Sequence, residues 1–271
     1  MNNHPEADEV MRLVEANGLA IGCSISGSGP PLLLIHGAEA TRDMFAALAP
    51  RLASRFTVIA YDQRDSGTTR DLTDPPRTYA LADMADDAAE LIRALGFVRA
   101  HVVGTSLGGH IAQVLAARHP DCIDRLALMS TWLAGCGLAA VNPSGAEQLG
   151  LWRTDAGRYA GNIAGMFFTP KYLQAHPEQI DMFRGSSRTA EQSARRARLL
   201  GVPYSIEKGQ IEAPTLLLMG DQDRLIPNAA TLALADIVRW PQAHVLHGVG
   251  HIAPIEAPEE LAAAIVRFLA A

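Results

Sequence analysis

The fold is decided by the stretch Val102-Val103-Gly104-Thr105-Ser106-Leu107-Gly108-Gly109. A β-rich run ends there in glycine, serine and glycine, and an apolar helical pattern follows at once. This is the G-x-S-x-G pattern of a sharp strand-to-helix turn that holds its serine in a strained conformation. Gly104 and Gly108 stand where side chains would collide with neighbouring backbone. Because five residues alone are compatible with a chance turn, the segments around them must decide.

Alternating strands and helices surround this turn. Asn17-Gly18 joins two predicted strands, at 10–15 and 19–25, as a hairpin. The later pattern predicts a parallel sheet with helices on both faces. Further strands are expected at 32–35, 57–61, 125–129, 215–219 and 244–246, and helices at 45–52, 81–95, 107–118, 228–238 and from 258. We therefore predict an α/β fold with a mostly parallel, eight-stranded sheet.

The strand signal disappears between Thr131 and about Glu212. Helical patterns near 155–168 and 189–200 occupy part of this stretch. We expect a core domain of residues 1–131 and 213–271 and an inserted helical cap, or lid, of residues 132–212.

Composition limits the class of protein. Of the 271 residues, 48% are hydrophobic and 19% charged, so the chain can bury a large core. The net charge of -6 argues against a nucleic-acid partner or an anionic membrane. The polar, acidic start lacks a signal-peptide pattern, and the three cysteines show no metal-ligand spacing. We expect a cytoplasmic protein, monomer or homodimer, with no metal and no organic cofactor.

Two segments supply the partners that a serine nucleophile requires. A serine hydroxyl needs a base, and the base needs a third group to fix its tautomer. Asp223 follows the strand at 215–219, and His251 follows the next strand, which is the order serine, acid, histidine. Asp221 is the alternative acid, interpreted as a turn residue. His110 and His119 are interpreted as packing or capping residues.

Attack on a carbonyl also requires donors for the developing negative charge. The backbone N–H groups of Leu107 and Ala38 are the candidates, with Gly37 allowing close approach of the backbone. His36 is interpreted mainly as a group that holds this loop, and secondarily as a pocket residue.

With these segments in place, the chain resembles the α/β-hydrolase superfamily with a helical cap. The resemblance spans nearly the whole chain and is strongest at LLLIHG, VIAYDQRDSG, HVVGTSLGGHIAQVLAARHP, LLLMGDQDRLIP and GVGHIAPIEAP. The loop Tyr61–Gly67 is similar to that of enol-lactonases and aminoacrylate hydrolases. Asp65 stands where this loop usually has glycine, and in this feature the loop is similar to that of anthracycline methyl esterases. The resemblance implies a small carboxylic ester or lactone as the substrate.

Departures from other branches narrow the choice. Haloalkane dehalogenases and epoxide hydrolases have aspartate at the nucleophile position, where this chain has Ser106. Carbon–carbon bond hydrolases carry a G-x-G-P-G-A type loop, which 38–45 does not match. Carbon–carbon bond hydrolysis, although disfavoured by this loop, stays open as an alternative. Perhydrolase (haloperoxidase-like) or cofactor-free oxygenase activity, and a non-enzymatic ligand receptor, stay open as well.

Residues of the predicted cap and of the loops beside it are candidates for lining the substrate pocket, although aromatic residues at helical spacing more often form core. The candidate pocket residues are His36, Phe45, Trp132, Trp152, Phe167, Ile226 and Ile252. Met166 and Phe168 are further candidates. Arg195, Arg196 and Arg198 form a basic cluster, for which a solvated face is expected over a carboxylate clamp.

Overall fold

The computed structural model describes residues 9–199 and 202–270, and in them nine strands form one sheet. The strands are β1 (Val10–Ala16), β2 (Leu19–Ser26), β3 (Pro31–Ile35), β4 (Thr57–Tyr61), β5 (Arg70–Asp71), β6 (Ala100–Thr105), β7 (Ile123–Met129), β8 (Thr215–Gly220) and β9 (Pro241–Leu246).

The order across the sheet is β1-β2-β4-β3-β6-β7-β8-β9, with β5 paired to β2. Neighbouring strands from β4 to β9 along this order are parallel, whereas β1 and β2 pair antiparallel at one edge. The mostly parallel α/β sheet is confirmed. The sequence analysis missed the ninth strand, because the two residues of β5 are too short to show an alternating pattern.

Ten α-helices accompany these strands in the described residues. They are α1 (Ala49–Leu52), α2 (Leu81–Ala94), α3 (Leu107–Arg118), α4 (Pro143–Arg153), α5 (Ala156–Phe167), α6 (Pro170–Ala175), α7 (Ala190–Leu199), α8 (Asn228–Leu232), α9 (Ala253–Glu256) and α10 (Pro258–Leu269). None of these helices meets the length and apolarity needed to cross a bilayer.

Side chains on β3 show how the sheet is buried on both faces. Leu33 and Ile35 pack into one core cluster, with α2 and α3. Leu32 and Leu34 pack into the other, with α1 and α10. Successive strand residues point to opposite faces, so an uninterrupted apolar run is the pattern that a doubly covered strand requires.

Two predicted helices are shorter than expected. In place of the helix predicted at 45–52, a 3₁₀ turn ends at Phe45 (Arg42–Phe45) and the single turn α1 begins only at Ala49. Pro50 lacks the N–H that a continuous helix would use at that position. The region 228–238 likewise divides into α8 and a 3₁₀ turn, Ala233–Asp236.

Helices α4 to α7 lie between β7 and β8, in residues 132–212, which we call the inserted segment. The predicted helical pieces correspond to α5 and α7, and Leu200, the predicted end of the second, lies outside the described residues. A hydrophobic cluster joins this segment to the loop after β8. Its buried members are Trp132, Leu149, Ile163, Met166, Leu225 and Ile226.

Candidate active site

Ser106 occupies the turn between β6 and α3 with φ 55° and ψ -119°. This left-handed backbone is strained for a residue with a side chain. A Cβ at Gly108 would collide with the carbonyl oxygens of Ile35 and His36, and one at Gly104 with the Gly108 carbonyl. The two glycines therefore let α3 begin directly against β3 and β6, with Ser106 at the turn.

Asp223 and His251 form a buried pair at the same edge of the sheet. Their side chains are 1% and 3% exposed, and His251 Nδ1 lies 2.8 Å from Asp223 Oδ2. The other carboxylate oxygen accepts the N–H groups of Leu225 at 2.9 Å and Ile226 at 2.8 Å. An acceptor at Nδ1 favours the tautomer with its proton there, which leaves Nε2 free as a base.

Ser106 and His251 are not hydrogen-bonded to each other in this structure. Among the hydrogen bonds of residues 9–199 and 202–270, none joins Ser106 Oγ to His251, and the His251 ring contacts Asp223. In ligand-free active sites such bonds are often long and shorten only when substrate binds. The backbone of His251 is fixed, since its N–H donates to the Phe167 carbonyl at 2.8 Å.

Asp221 lies at the protein surface, away from this pair. Its carboxylate accepts the Gly248 N–H at 2.6 Å and contacts His247 Nδ1 at 3.1 Å. The hydrogen bond from His247 lowers the pKa of Asp221. Asp221 therefore shapes the loop before His251, and Asp223 holds the imidazole.

The two candidate oxyanion donors have no backbone acceptor among the described residues. Neither the Ala38 nor the Leu107 N–H donates a hydrogen bond to the turns, loops and caps of 9–199 and 202–270. Leu107 is the first residue of α3, where N–H groups lack partners within the helix. A Cβ built on Gly37 would lie 3.6 Å from the Ser106 Cβ, so the Ala38 loop passes beside the nucleophile.

His36 holds the Ala38 loop in place through hydrogen bonds of its ring. Its ring is fully buried, Nδ1 donates to the Gly37 carbonyl at 2.8 Å, and Nε2 accepts the Gln63 N–H at 3.3 Å. Burial, with the charges of Arg196 and Arg188, keeps the pKa of His36 well below its ordinary value. Since both ring nitrogens bind the protein, the geometry favours the loop-holding interpretation over the pocket one.

Three of the candidate pocket residues lie against the catalytic loops. The Phe167 ring packs against the His251 ring at 5.4 Å, and its carbonyl also accepts the Ile252 N–H at 3.3 Å. Ile226 is buried beside Asp223.

The other three candidates lie in hydrophobic clusters or at their margin. Trp132 is 4% exposed, joins the core to the inserted segment, and donates from Nε1 to the Cys136 carbonyl at 2.7 Å. Trp152 packs at the margin of the same cluster. Phe45 is fully buried among Met44 and Leu48 on the α1 face, so it forms core.

The expectation of a solvated arginine face is wrong for two of its three members. Arg196 is buried, and Arg195 pairs with Asp65 through two bonds of 2.7 Å, whereas Arg198 is exposed. The polar sequence of α7 gave no sign of burial, because the helix docks through hydrogen bonds to core loops. Arg188 adds a bond to the Asp65 carbonyl at 2.7 Å.

Glu256 is a site residue that the sequence analysis missed. One carboxylate oxygen accepts the Gly250 N–H at 2.9 Å, and the other accepts the Thr169 N–H at 3.1 Å. It thereby ties the loop of His251 to the end of α5. Its place five residues after His251 gives only a weak signal, because a Glu near a helix end usually caps or faces solvent.

His110 lies one helical turn after Ser106, fully buried, with neither ring nitrogen hydrogen-bonded within the described residues. Its ring meets Trp132 edge-to-face at 4.3 Å. Burial lowers the pKa of His110 to about 3, so the ring is neutral at physiological pH. It therefore packs, as expected, and has no capping role. His119 contacts Asp86 at 2.6 Å, away from the turn.

No group of three or more His, Cys, Asp or Glu residues in the described part of the chain is arranged to hold a metal ion. The chemistry that these residues support is nucleophilic attack, with Asp223 and His251 as the proton-handling pair.

Comparison with known proteins places this geometry in context. The model for the alpha/beta hydrolase fold matches residues 30–171. A 2-hydroxymuconate semialdehyde hydrolase of Pseudomonas sp. (strain CF600) is 31% identical over 287 residues, covering 100% of this chain and 97% of that protein. A fluoroacetate dehalogenase of Burkholderia sp is 40% identical over 120 residues, 44% of this chain and 40% of that protein.

One solved structure is similar to this chain over nearly its whole length. A thermophilic esterase from Thermogutta terrifontis, with malate bound, superposes with a TM-score of 0.78 at 27% identity, covering 97% of this chain and 98% of that one.

Proposed function

The chain belongs to the alpha/beta hydrolase family, and we propose that this hydrolase cleaves a small carboxylic ester or lactone through Ser106, His251 and Asp223. The buried Asp223–His251 pair carries the proposal, because a carboxylate at Nδ1 and a free Nε2 are what a serine nucleophile requires. The resemblance of the Tyr61–Gly67 loop to lactonases and methyl esterases, and the likeness to a solved esterase, support the substrate class.

In the proposed reaction, His251 Nε2 takes the proton of the Ser106 hydroxyl as the oxygen attacks the substrate carbonyl. Asp223 stabilises the imidazolium that forms. The Ala38 and Leu107 N–H groups donate to the oxyanion of the tetrahedral intermediate. His251 returns the proton to the alcohol oxygen that leaves the carbonyl. Water then attacks the acyl-enzyme as His251 takes a proton from it, the carboxylic acid is released, and His251 returns the proton to Ser106.

The inserted segment has a proposed role as a lid over this site. Phe167, at the end of α5, packs against His251. Trp132 and Ile226 lie in the cluster that joins the segment to the loop after β8. A small ester or lactone would bind between these apolar groups and Ser106, with no part for nucleic acid or membrane.

Two relatives are named for substrates other than simple esters, and these substrates can be tested beside an ester. One relative is a fluoroacetate dehalogenase and another a 2-hydroxymuconate semialdehyde hydrolase. The serine at the nucleophile position argues against halide displacement. The loop at 38–45 argues against carbon–carbon bond hydrolysis, since it lacks the G-x-G-P-G-A pattern.

The proposal is tested by assaying the purified chain on short p-nitrophenyl esters, on simple lactones, on 2-hydroxymuconate semialdehyde and on fluoroacetate. We expect turnover of the esters or lactones, and we expect Ser106→Ala to lower kcat by about 10⁴-fold or more. Preferential turnover of the semialdehyde or of fluoroacetate would contradict the substrate class. Activity that survives Ser106→Ala would indicate a His–Asp base acting without a nucleophilic serine.

Asp221→Asn is the matched control for Asp223→Asn. Both substitutions remove one carboxylate from the loop after β8, but only Asp223 contacts His251. We expect Asp223→Asn to lower kcat by about 10³- to 10⁴-fold, because the imidazole loses the partner that fixes its tautomer. Asp221→Asn should stay within about threefold of the parent enzyme, since the asparagine oxygen can still accept the Gly248 N–H and an exposed polar substitution has a small effect.

A further inference from the structure

Arg196 is a buried cation whose hydrogen-bond partners are neutral oxygens. The residue is 6% exposed, Nη1 donates to the Arg64 carbonyl at 2.8 Å, and Nη2 donates to Gln63 Oε1 at 2.9 Å. The nearby carboxylate, Asp65, binds Arg195 through both of its oxygens. Burial and the charge of Arg188 lower the pKa of Arg196 to about 10, so the surroundings disfavour the charged form.

Such an arrangement is costly for stability, because a buried charge without an ionic partner loses its hydration. Residues that oppose stability in this way cluster at functional sites. Arg196 fits this pattern, because its other hydrogen bonds are to the loop beside Ser106.

Those contacts are to the carbonyl oxygen of Ala38. Nε lies 3.2 Å and Nη2 3.0 Å from it, so the guanidinium grips this oxygen with two donors. On the other side of the Ala38 Cα, His36 donates to the Gly37 carbonyl at 2.8 Å. The Gly37 carbonyl and the Ala38 N–H belong to one planar peptide. Arg196 and His36 therefore fix the two peptide planes that flank the Ala38 Cα.

We infer that Arg196 is a positioning residue: it holds the peptide plane after the Ala38 Cα, while His36 holds the plane of the Ala38 N–H, so that this N–H faces the oxyanion formed at Ser106. The inference rests on the proposed function and adds to it that the inserted segment completes the oxyanion hole. Because Arg196 lies on α7, the donor is correctly aimed only while α7 is docked on the core loops.

Arg195 helps to dock α7 through its two bonds to Asp65, and Arg188 reinforces this docking at the loop itself. Arg188 Nη2 donates to the Ala40 carbonyl and to Ser66 Oγ, each at 3.1 Å. Ser66 itself donates to the Ala40 carbonyl at 2.8 Å. The loop from Ala38 to Ala40 is thus held by two guanidinium groups from the inserted segment and by a hydroxyl from the loop after β4.

The test compares Arg196→Ala and Arg196→Lys with Arg198→Ala, an exposed residue of the same helix. Each variant is assayed on p-nitrophenyl butyrate, and its Ki is measured for an alkyl trifluoromethyl ketone, which forms a tetrahedral oxyanion adduct with serine. We expect Arg196→Ala to lower kcat about 10- to 100-fold with KM changed less than about threefold, a loss below that of a deleted oxyanion donor. The Ki should rise by a similar factor as kcat falls.

Rescue separates positioning from general destabilisation. Arg196→Lys keeps a charge but cannot donate twice to one carbonyl in a planar fork, so we expect an intermediate kcat. Methylguanidinium at millimolar concentration, far below the molar range that unfolds proteins, should restore part of the activity of Arg196→Ala and leave Arg198→Ala unchanged.

The outcomes are distinct. If the parent enzyme shows no Ser106-dependent turnover, the proposed function fails and the inference fails with it. If the parent enzyme is active but folded Arg196→Ala matches it in kcat and Ki, the inference alone is overturned. If Arg196→Ala does not fold, a parent-like kcat and Ki in Arg196→Lys overturns the inference, and the intermediate values support it.

Discussion

At the scale of single residues, Gly37 shows how closely the loop after β3 approaches Ser106. A methyl group at Gly37 would lie 3.6 Å from the Ser106 Cβ and 3.8 Å from the Thr105 carbonyl oxygen, both ordinary contact distances. The ligand-free protein could therefore accommodate alanine there. A substrate carbonyl at Ser106 would have to share that space.

We therefore predict that Gly37→Ala leaves the free energy of unfolding within about 1 kcal/mol of the parent but lowers kcat/KM about 10- to 100-fold, since steric overpacking costs about 1–3 kcal/mol. Urea unfolding and p-nitrophenyl acetate turnover check the two parts. Gly161→Ala is the matched control, because nothing lies within 4 Å of its added methyl group. Unchanged turnover in Gly37→Ala would show that the substrate does not pass this position.

His110 gives a prediction about pH. Its pKa is about 3 in the folded protein because of burial, against about 6.5 in an unfolded chain. Between these two values the unfolded chain binds a proton that the folded chain does not. Stability is therefore fully present above pH 6.5 and falls as the pH decreases toward 3, by up to about 1.4 kcal/mol per unit.

His110→Phe removes this titration while keeping an aromatic ring against Trp132. We expect the free energy of unfolding of the variant, measured in urea at pH 7, 6, 5 and 4, to fall less steeply than that of the parent. His36 continues to destabilise both proteins at low pH. Parallel curves would show that His110 is not protonated on unfolding in this range.

At the scale of secondary-structure elements, Asp65 anchors α7 to the loop after β4. Asp65 has φ 54°, a backbone conformation that glycine adopts more readily than residues with a side chain. Its carboxylate binds Arg195 and accepts from the Tyr79 hydroxyl at 2.8 Å, with Arg195 and Asp65 only 20% and 12% exposed.

We predict that Asp65→Asn loosens α7 without unfolding the core. Asparagine tolerates the left-handed backbone, but it cannot form the charged two-bond contact with Arg195. Hydrogen exchange should show amides of α7 exchanging about tenfold faster, equivalent to about 1.4 kcal/mol.

Asp181→Asn is the control, because it breaks an exposed ion pair with Arg184 in the same inserted segment. Exposed pairs contribute little, so its exchange should match that of the parent. Equal exchange in Asp65→Asn would mean that the remaining arginine contacts suffice to hold α7.

The elements differ in how well sequence predicts them. The bounds of β4 and α3 follow from an apolar run and from the glycine-serine turn, because local backbone chemistry determines both. The burial of Arg196 could not be foreseen, because α7 reads as a polar helix and its contacts come from loops more than 100 residues away in sequence. Helices α4 and α6 were also missed, and Glu256 was missed because a Glu near a helix end usually caps the helix or faces solvent.

At the scale of the whole molecule, the parallel sheet brings distant segments to one edge. Residues that follow β6, β8 and β9 lie at that edge, because the carboxyl ends of parallel strands share it, and the structure brings Asp223 and His251 together there. The inserted segment packs against the loop after β8, chiefly through the cluster around Trp132 and Ile226.

We predict that this cluster makes the inserted segment and the core unfold together. Ile226 is 1% exposed, and Ile226→Ala should lower the free energy of unfolding by about 2–5 kcal/mol, whereas Leu151→Ala, at a site 63% exposed, should change it little. Tryptophan fluorescence and far-ultraviolet circular dichroism should give coincident urea transitions. Separated transitions would indicate an independently unfolding segment.

The central claim is that Ser106 is activated by His251. The most direct measurement is the intact mass of the protein after treatment with a fluorophosphonate, followed by peptide mapping of the adduct. We expect one adduct, on Ser106, with His251→Ala labelled at least about 100-fold more slowly, because a general base is lost. Equal labelling of His251→Ala, or an adduct on another residue, would contradict this claim.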